Sequence, residues 1–90
     1  MSKSKTFIIF QDNADARPFI DAVEQDNPDI SIDYQPGMVR FENEGELIIR
    51  RETVEEIIGR EVDLQEIHVH LVSIGGNIEE DDDYIRLVWN

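Results

Sequence analysis

The amino-acid sequence predicts an α+β fold with the element order β-α-β-β-β-α-β-β, mostly antiparallel sheets and two to three short helices. Several short segments alternate apolar and polar residues and are separated by tight-turn signals, which is typical of half-buried antiparallel strands. Only two longer segments show apolar residues at helical spacing. Because these helices do not alternate regularly with strands, the order excludes a doubly wound parallel sheet.

The first strand is predicted at residues 6–10, a β-branched and aromatic run that ends at a polar stretch. Its apolar residues follow one another without alternation, so the strand is expected to be buried on both faces or to point an aromatic ring at a partner. Cap residues and a proline then predict a helix from about Asp15 to Gln25. Pro28 ends this helix because it disfavours helical geometry at the residue before it.

Two turn signals divide the middle of the chain into three predicted strands. Pro36-Gly37 has the residue order of a type II turn, and Gly45 marks the second turn. Before the first turn, Ile32 and Tyr34 alternate with polar residues, which indicates a strand with one buried and one solvent-exposed face. The three predicted strands cover residues 30–35, 38–42 and 46–50.

A second helix is predicted to begin at Thr53, because Thr53 and Glu56 have the spacing of a capping box. Gly59 is placed to end it. Residues 63–66 repeat the cap pattern, which predicts one further helical turn.

The last two strands are predicted on either side of a glycine-rich turn and an acidic run. Alternation predicts a strand from Ile67 to about Ile74, and residues 75–77 end it. The acidic run at residues 79–83 then leads into the terminal strand. The predicted apolar face of that strand consists of Ile85, Leu87 and Trp89.

Composition limits the function. Ninety residues are expected to form a single domain, residues 1–90, divided loosely into halves at about 1–45 and 46–90. A formal net charge of −13 repels phosphates and anionic lipid, so neither nucleic acid nor a membrane is expected as a direct partner. The apolar run at residues 7–10 is too short for a signal peptide or a membrane span, so a cytoplasmic location is expected.

The chain has no cysteine, which excludes disulfides, thiolate metal sites and thiol catalysis. His68 and His70 then remain as the pair that suggests a metal site, because residues two apart on a strand point to one face. A third ligand would have to be an acid whose position the sequence does not give. The sequence favours the alternative, two surface histidines on the polar side of an amphipathic strand.

Three other segments each have a structural and a functional interpretation. The adjacent acids at residues 79–83 lack the spacing of a calcium loop, so they form a solvated loop or steer a basic partner. Residues 73–77 lack the ending of a phosphate loop and form a plain turn or allow close approach of a partner's backbone. Arg50 and Arg51 are predicted to be internal ion-pair donors, with an interface role as the alternative.

No carboxylate pair is marked out by spacing, and a chain this small has little volume for a substrate pocket. The residues alone therefore predict a non-enzymatic acidic binding module. One specific form of such a module is a nucleic-acid mimic that blocks a basic groove. A small metal-dependent enzyme built on His68 and His70 is a third interpretation.

A series of short segments, in order along nearly the whole chain, matches a known family. The segments are Gln11–Asn13, Asp15–Pro18, Asp26–Pro28, Gln35–Arg40, Ile49–Glu56, Gly59–Arg60, Asp63–Glu66, Ile74–Asn77 and Glu80–Asp83. Together they resemble the effector subunit of bacterial phenol hydroxylase, in the family of the coupling proteins of toluene monooxygenases and the regulatory component of soluble methane monooxygenase.

This resemblance implies a protein without a cofactor that binds a di-iron hydroxylase and regulates its oxygen chemistry. A separate reductase would pass electrons from NADH, and the effector would compete or cooperate with it at the hydroxylase. By position, the resemblance implies that the hydroxylase is contacted mainly by Leu71, Ser73, Ile74, Gly75, Gly76 and Asn77, with Met38 and Phe7 as weaker candidates. The sequence leaves two states open for the free chain, a monomer or a weak homodimer that associates through an exposed strand edge.

Overall fold

A computed structural model describes residues 5–89 and confirms the α+β class with mostly short antiparallel links. Within this range it contains seven strands, two α-helices and one 3₁₀ helix. The strands are β1 (Lys5–Gln11), β2 (Ser31–Gln35), β3 (Met38–Glu44), β4 (Leu47–Arg50), β5 (Leu71–Gly75), β6 (Asn77–Glu80) and β7 (Tyr84–Val88). The helices are α1 (Arg17–Asp26), α2 (Arg51–Ile58) and the 3₁₀ helix (Leu64–Val69).

The strands form two antiparallel sheets. The four-stranded sheet has the order β2-β3-β1-β5, and the three-stranded sheet has the order β4-β7-β6. The four-stranded sheet therefore takes β5 from the second half of the chain. Consecutive strands β5 and β6 belong to different sheets and are joined by the single residue Gly76.

One apolar core joins both sheets and the helices. In β1, alternate residues Ile8 and Phe10 are fully buried, and α1 buries Ile20 and Val23 at helical spacing. The three-stranded sheet and the remaining helices complete the same cluster with Leu47, Ile49, Val54, Leu64, Ile67, Ile85 and Leu87. Each sheet consequently has an inner face toward this core and an outer face toward solvent.

The free edge of β4 is closed by the C-terminal end of α1. Asn27, which is buried, donates from Nδ2 to the Ile48 carbonyl at 2.6 Å and accepts from the Ile48 N–H at 3.0 Å. The next donor along β4, the Arg50 N–H, reaches Asp26 Oδ2 at 2.8 Å. Two side chains thus take the place of a neighbouring strand, and they hold α1 against the three-stranded sheet.

The predicted strand from Ile67 to Ile74 is wrong in its first half. Residues Leu64–Val69 form the 3₁₀ helix, and Asp63 caps it by accepting from the Gln65 N–H at 3.0 Å. Ile67 is buried, whereas the Val69 side chain is 73% exposed, so these two residues do not share a face. A spacing of three between Leu64 and Ile67 places both on one side of a 3₁₀ turn, which explains the burial of this pair.

The predicted burial of two apolar strand faces is also wrong in part. Ile32 and Tyr34 are exposed, because β2 is the edge strand of its sheet and pairs only with β3. Trp89 lies beyond the end of β7, and its side chain is 49% exposed rather than part of a buried face. Its indole Nε1 donates to the Lys5 carbonyl at 2.6 Å, which ties the end of the chain to the start of β1.

Two element boundaries differ from the prediction because of contacts distant in sequence. Helix α2 begins at Arg51, since the Thr53 hydroxyl donates to Asp26 at 2.7 Å and does not cap the helix. Part of the acidic run, predicted to be a loop, belongs to strand β6. In that strand, Glu79 lies opposite Arg86 of β7 and forms an ion pair with it at 3.2 Å.

Candidate docking surface

The outer face of the four-stranded sheet brings several of the predicted site residues together. The pairing of β1 with β5 sets Phe7 opposite Gly75 and Ile9 opposite Ser73. Phe7 and Ile9 are half-buried, in contrast to the fully buried residues that alternate with them. Met38 lies on the same face at the other end of the sheet, where it pairs with Gln11. Phe7, Ile9 and Ser73 therefore form one continuous surface, with Gly75 buried beneath Phe7 and Met38 at the margin.

Phe7 lies between a glycine and an arginine on this surface. A Cβ on Gly75 would overlap the Phe7 ring, so the ring covers the backbone of β5 at that point. On β3, the Arg40 guanidinium carbon is 5.0 Å from the centre of the same ring, within the range of a cation–π interaction. Arg40 is held in turn by Glu42 at 2.9 Å. The ring is thus fixed by its neighbours on both adjacent strands.

The other predicted residues of β5 face the core. Leu71 and Ile74 pack against the buried cluster, so they support the strand from behind and do not form its outer surface. Between them, the pairing of β1 with β5 shifts by one residue, which makes Val72 the extra residue of a β-bulge. Val72 is 49% exposed. The sequence did not single out Val72 or Ile9 as site residues, since a bulge depends on strand pairing.

Gly76 and Asn77 lie at the junction of the two sheets. Gly76 has a φ of +129°, and a Cβ there would lie 3.2 Å from Thr6 Cγ2, so any other residue would be strained. Gly76 is consequently required by the fold, whatever its role in binding. Asn77 is exposed at the start of β6 and pairs with Val88, which places it on the outer face of the three-stranded sheet.

The two histidines do not share a strand face, which corrects the geometry proposed for a metal site. His68 Nε2 contacts Glu80 Oε1 at 2.5 Å, whereas the His70 ring packs on Phe19 with ring centres 5.5 Å apart. Within residues 5–89, no group of three or more histidine, aspartate or glutamate side chains is arranged to hold a metal ion. None of the helices in this range is long and apolar enough to cross a membrane.

The arginines at the start of α2 differ in their contacts. Arg51 forms ion pairs with Asp83 at 3.0 Å and with Glu55 at 3.8 Å, which confirms its predicted structural role. The Arg50 side chain is exposed and contacts no carboxylate within residues 5–89. The prediction of an ion pair is therefore wrong for Arg50 among the described residues.

The chain is a small α+β domain whose outer sheet face carries half-buried apolar side chains beside small strand residues. Such a face is suited to contact with another protein, as in the class of binding proteins. The sequence pattern of the MmoB/DmpM family matches residues 4–88, and the chain belongs to this family.

The relatives are named for a regulatory role. The chain is 50% identical, over 96% of its own length and 96% of the relative's, to the stimulatory component DmpM of phenol 2-monooxygenase from Pseudomonas sp. strain CF600. A solved chain in a complex of phenol hydroxylase with its regulatory protein is 48% identical and superimposes with a TM-score of 0.92, covering 97% of this chain and 100% of that one. The chain is thus a regulatory component and not a catalytic subunit, as the resemblance predicted.

A more distant likeness supports the fold alone. The regulatory protein B of soluble methane monooxygenase is 13% identical and gives a TM-score of 0.74, with 100% of this chain and 69% of that chain covered. The two-sheet architecture is therefore shared well beyond the range of clear sequence identity.

Proposed function

We propose that this chain binds the hydroxylase of a phenol-hydroxylase-type multicomponent monooxygenase and increases the coupling of NADH oxidation to substrate hydroxylation. The observation that carries the proposal is 50% identity to a stimulatory component over 96% of both chains. A solved relative with a TM-score of 0.92 comes from a complex of phenol hydroxylase with its regulatory protein, which supports the hydroxylase as partner. This family relationship favours an oxygenase effector over a nucleic-acid mimic.

Regulation by such an effector requires a difference in affinity. An effector that binds the competent and resting conformers of the hydroxylase equally well shifts neither population, so it must bind the competent conformer more tightly. The chain has no cysteine with which to hold an iron–sulfur cluster, and the proposal assigns electron transfer to a separate reductase. The effector then competes or cooperates with that reductase at the hydroxylase.

The proposed contact surface is the outer face around Phe7, Ser73 and Gly75, together with Gly76 and Asn77 at the sheet junction. The chain exposes 5447 Å², of which a standard interface takes about 800 Å², or about 15%. One side of the molecule is therefore large enough. The formal charge of −13 suits a basic rim on the hydroxylase and accelerates encounter at low ionic strength.

We also propose a cellular location and weak self-association for this chain. A complex that consumes NADH belongs in the cytoplasm, where that reductant is supplied. The edge strand β2 exposes Ile32 and Tyr34, so we propose that the free chain self-associates weakly through a strand edge.

Replacing Ser73 by Trp tests the contact surface. The Ser73 side chain is exposed on β5, and a bulky indole there should prevent close approach of the hydroxylase. We expect the dissociation constant, measured by isothermal titration of purified hydroxylase, to rise by about ten-fold or more.

Ser31→Trp is the matched control, because Ser31 is an exposed serine on the opposite edge strand of the same sheet. Circular dichroism and thermal melting should show that both variants keep the fold. An affinity of Ser73→Trp for the hydroxylase equal to that of the unmodified chain would place the contact elsewhere.

A further inference from the structure

The outer face of the three-stranded sheet carries a second group of residues suited to a partner. Leu47 and Leu87 face the core, so the residues that alternate with them face solvent. On this outer face Arg50 of β4 lies opposite Tyr84 of β7, and the neighbouring pair includes Ile48. An open cleft of about 550 Å³ adjoins these three residues.

Arg50 differs from the other cations of the described chain in having no partner for its side chain. Within residues 5–89, the cations that contact a carboxylate are Lys5, Arg17, Arg40, Arg51 and Arg86. Arg60 donates from Nη1 to the Glu61 carbonyl at 3.0 Å. Arg50 is exposed and has neither kind of contact in this range, although 21 acidic residues are present in the chain.

The backbone around Arg50 is nevertheless fixed. Its N–H donates to Asp26 Oδ2 at 2.8 Å, and the following N–H, that of Arg51, donates to the Asp83 carbonyl at 2.9 Å. The guanidinium of Arg51 in the same cleft is already engaged by Asp83 and Glu55. Arg50 thus offers all its side-chain donors from a fixed strand end, in a cleft that Ile48 and Tyr84 line together with the carboxylates of Glu52, Glu55 and Asp83.

This combination has the chemistry of a carboxylate anchor. A guanidinium can bind a carboxylate through two parallel N–H···O bonds, and Arg and Tyr are enriched among residues that dominate interface energetics. Over most of the molecular surface, the net charge of −13 repels an acidic group of a partner. The guanidinium of Arg50, unpaired among the described residues, is a local positive charge that attracts such a group. Arg50, Ile48 and Tyr84 therefore suit an acidic side chain of a partner that is flanked by apolar residues.

We propose that Arg50, with Tyr84 and Ile48, anchors a carboxylate side chain of the hydroxylase at a second contact. This inference rests on the proposed function. It gains support from continuity, because Asn77 of the proposed contact surface lies on the same outer face through its pairing with Val88. Val88 lies four positions along β7 from Tyr84, a distance of about 14 Å, which is within the width of one standard interface.

The test compares Arg50→Glu with Arg60→Glu. Both residues are exposed arginines without a carboxylate partner within residues 5–89, and each variant changes the net charge equally, so long-range effects cancel. By isothermal titration with purified hydroxylase, we expect Arg50→Glu to weaken binding by about ten-fold or more and Arg60→Glu by less than about two-fold. Arg50→Gln, compared with Arg60→Gln, repeats the test by removing the charge without reversing it.

The outcomes separate this inference from the proposed function. Similar affinities of the Arg50 and Arg60 variants, with tight binding by the unmodified chain, would overturn the anchor and leave the hydroxylase as partner. Failure of the unmodified chain to bind would overturn both proposals. Thermal melting should show that Arg50→Gln keeps the stability of the unmodified chain, since the Arg50 side chain makes no ion pair or hydrogen bond within residues 5–89. Arg50→Glu should lose a little stability, because Glu52, Glu55 and Asp83 line the same cleft.

Discussion

Replacing Asn27 by Leu is expected to lower the free energy of unfolding by about 2–4 kcal/mol. Asn27 is buried, and its amide donates to the Ile48 carbonyl and accepts from the Ile48 N–H. It also donates to the Val23 carbonyl at 2.9 Å within α1. The substitution removes all three bonds and leaves both backbone groups of Ile48 without a partner. Since small domains have about 5–15 kcal/mol of stability in total, the loss is large.

Asn43→Ala provides the control for this prediction. From the end of β3, the Asn43 amide donates to the Glu46 carbonyl at 2.8 Å, but this bond is exposed and water can replace it. We expect a loss of less than about 1 kcal/mol in urea denaturation followed by circular dichroism. Equal losses for the Asn27 and Asn43 variants would contradict the role of Asn27 in closing the edge of β4.

Replacing Gly75 by Ala is expected to displace the Phe7 ring and to reshape the proposed contact surface. The new methyl group would overlap the ring, which must then leave its place beside Arg40. The loss of packing and of the cation–π interaction should cost about 1–3 kcal/mol of stability. Gly75 has no positive φ, so backbone strain does not contribute. Hydroxylase binding should weaken as well, because the displaced ring projects from the surface.

Phe7→Ala in the same chain provides the rescue. Without the ring, a methyl group at Gly75 has nothing to displace, so the double variant should be no less stable than Phe7→Ala alone. The cost of Gly75→Ala is therefore expected to vanish in the Phe7→Ala background, as measured in a double-mutant cycle by urea denaturation. Additive costs would show that the contact between Phe7 and Gly75 does not govern this position.

The elements that the sequence predicted well are those set by local signals. Strand β1, helix α1 with its early proline, and the turn at Pro36-Gly37 each depend on residues close in the chain. The start of α2 at Arg51 was missed because the hydroxyl expected to cap it, that of Thr53, binds Asp26 instead. Strand β6 was missed because Glu79 and Glu80 suggest a loop until β7 supplies Arg86.

The residues of the candidate docking surface, like the secondary-structure elements, could be predicted only in part from the sequence. Family resemblance indicated the segment around Ser73, but only strand pairing shows that Phe7 covers Gly75. The bulge that exposes Val72 also depends on pairing between strands distant in sequence. Arg50 was expected to be an ion-pair donor, because nothing in its local sequence indicates that Asp83 binds Arg51 instead.

We propose above all that this chain makes hydroxylation by its partner more efficient. The direct measurement is phenol hydroxylated per NADH consumed, in a reconstituted mixture of hydroxylase and reductase titrated with this protein. We expect both the rate and the yield per NADH to rise and then saturate as the chain is added. A rate and a yield that stay constant up to a saturating concentration of the chain would contradict the claim.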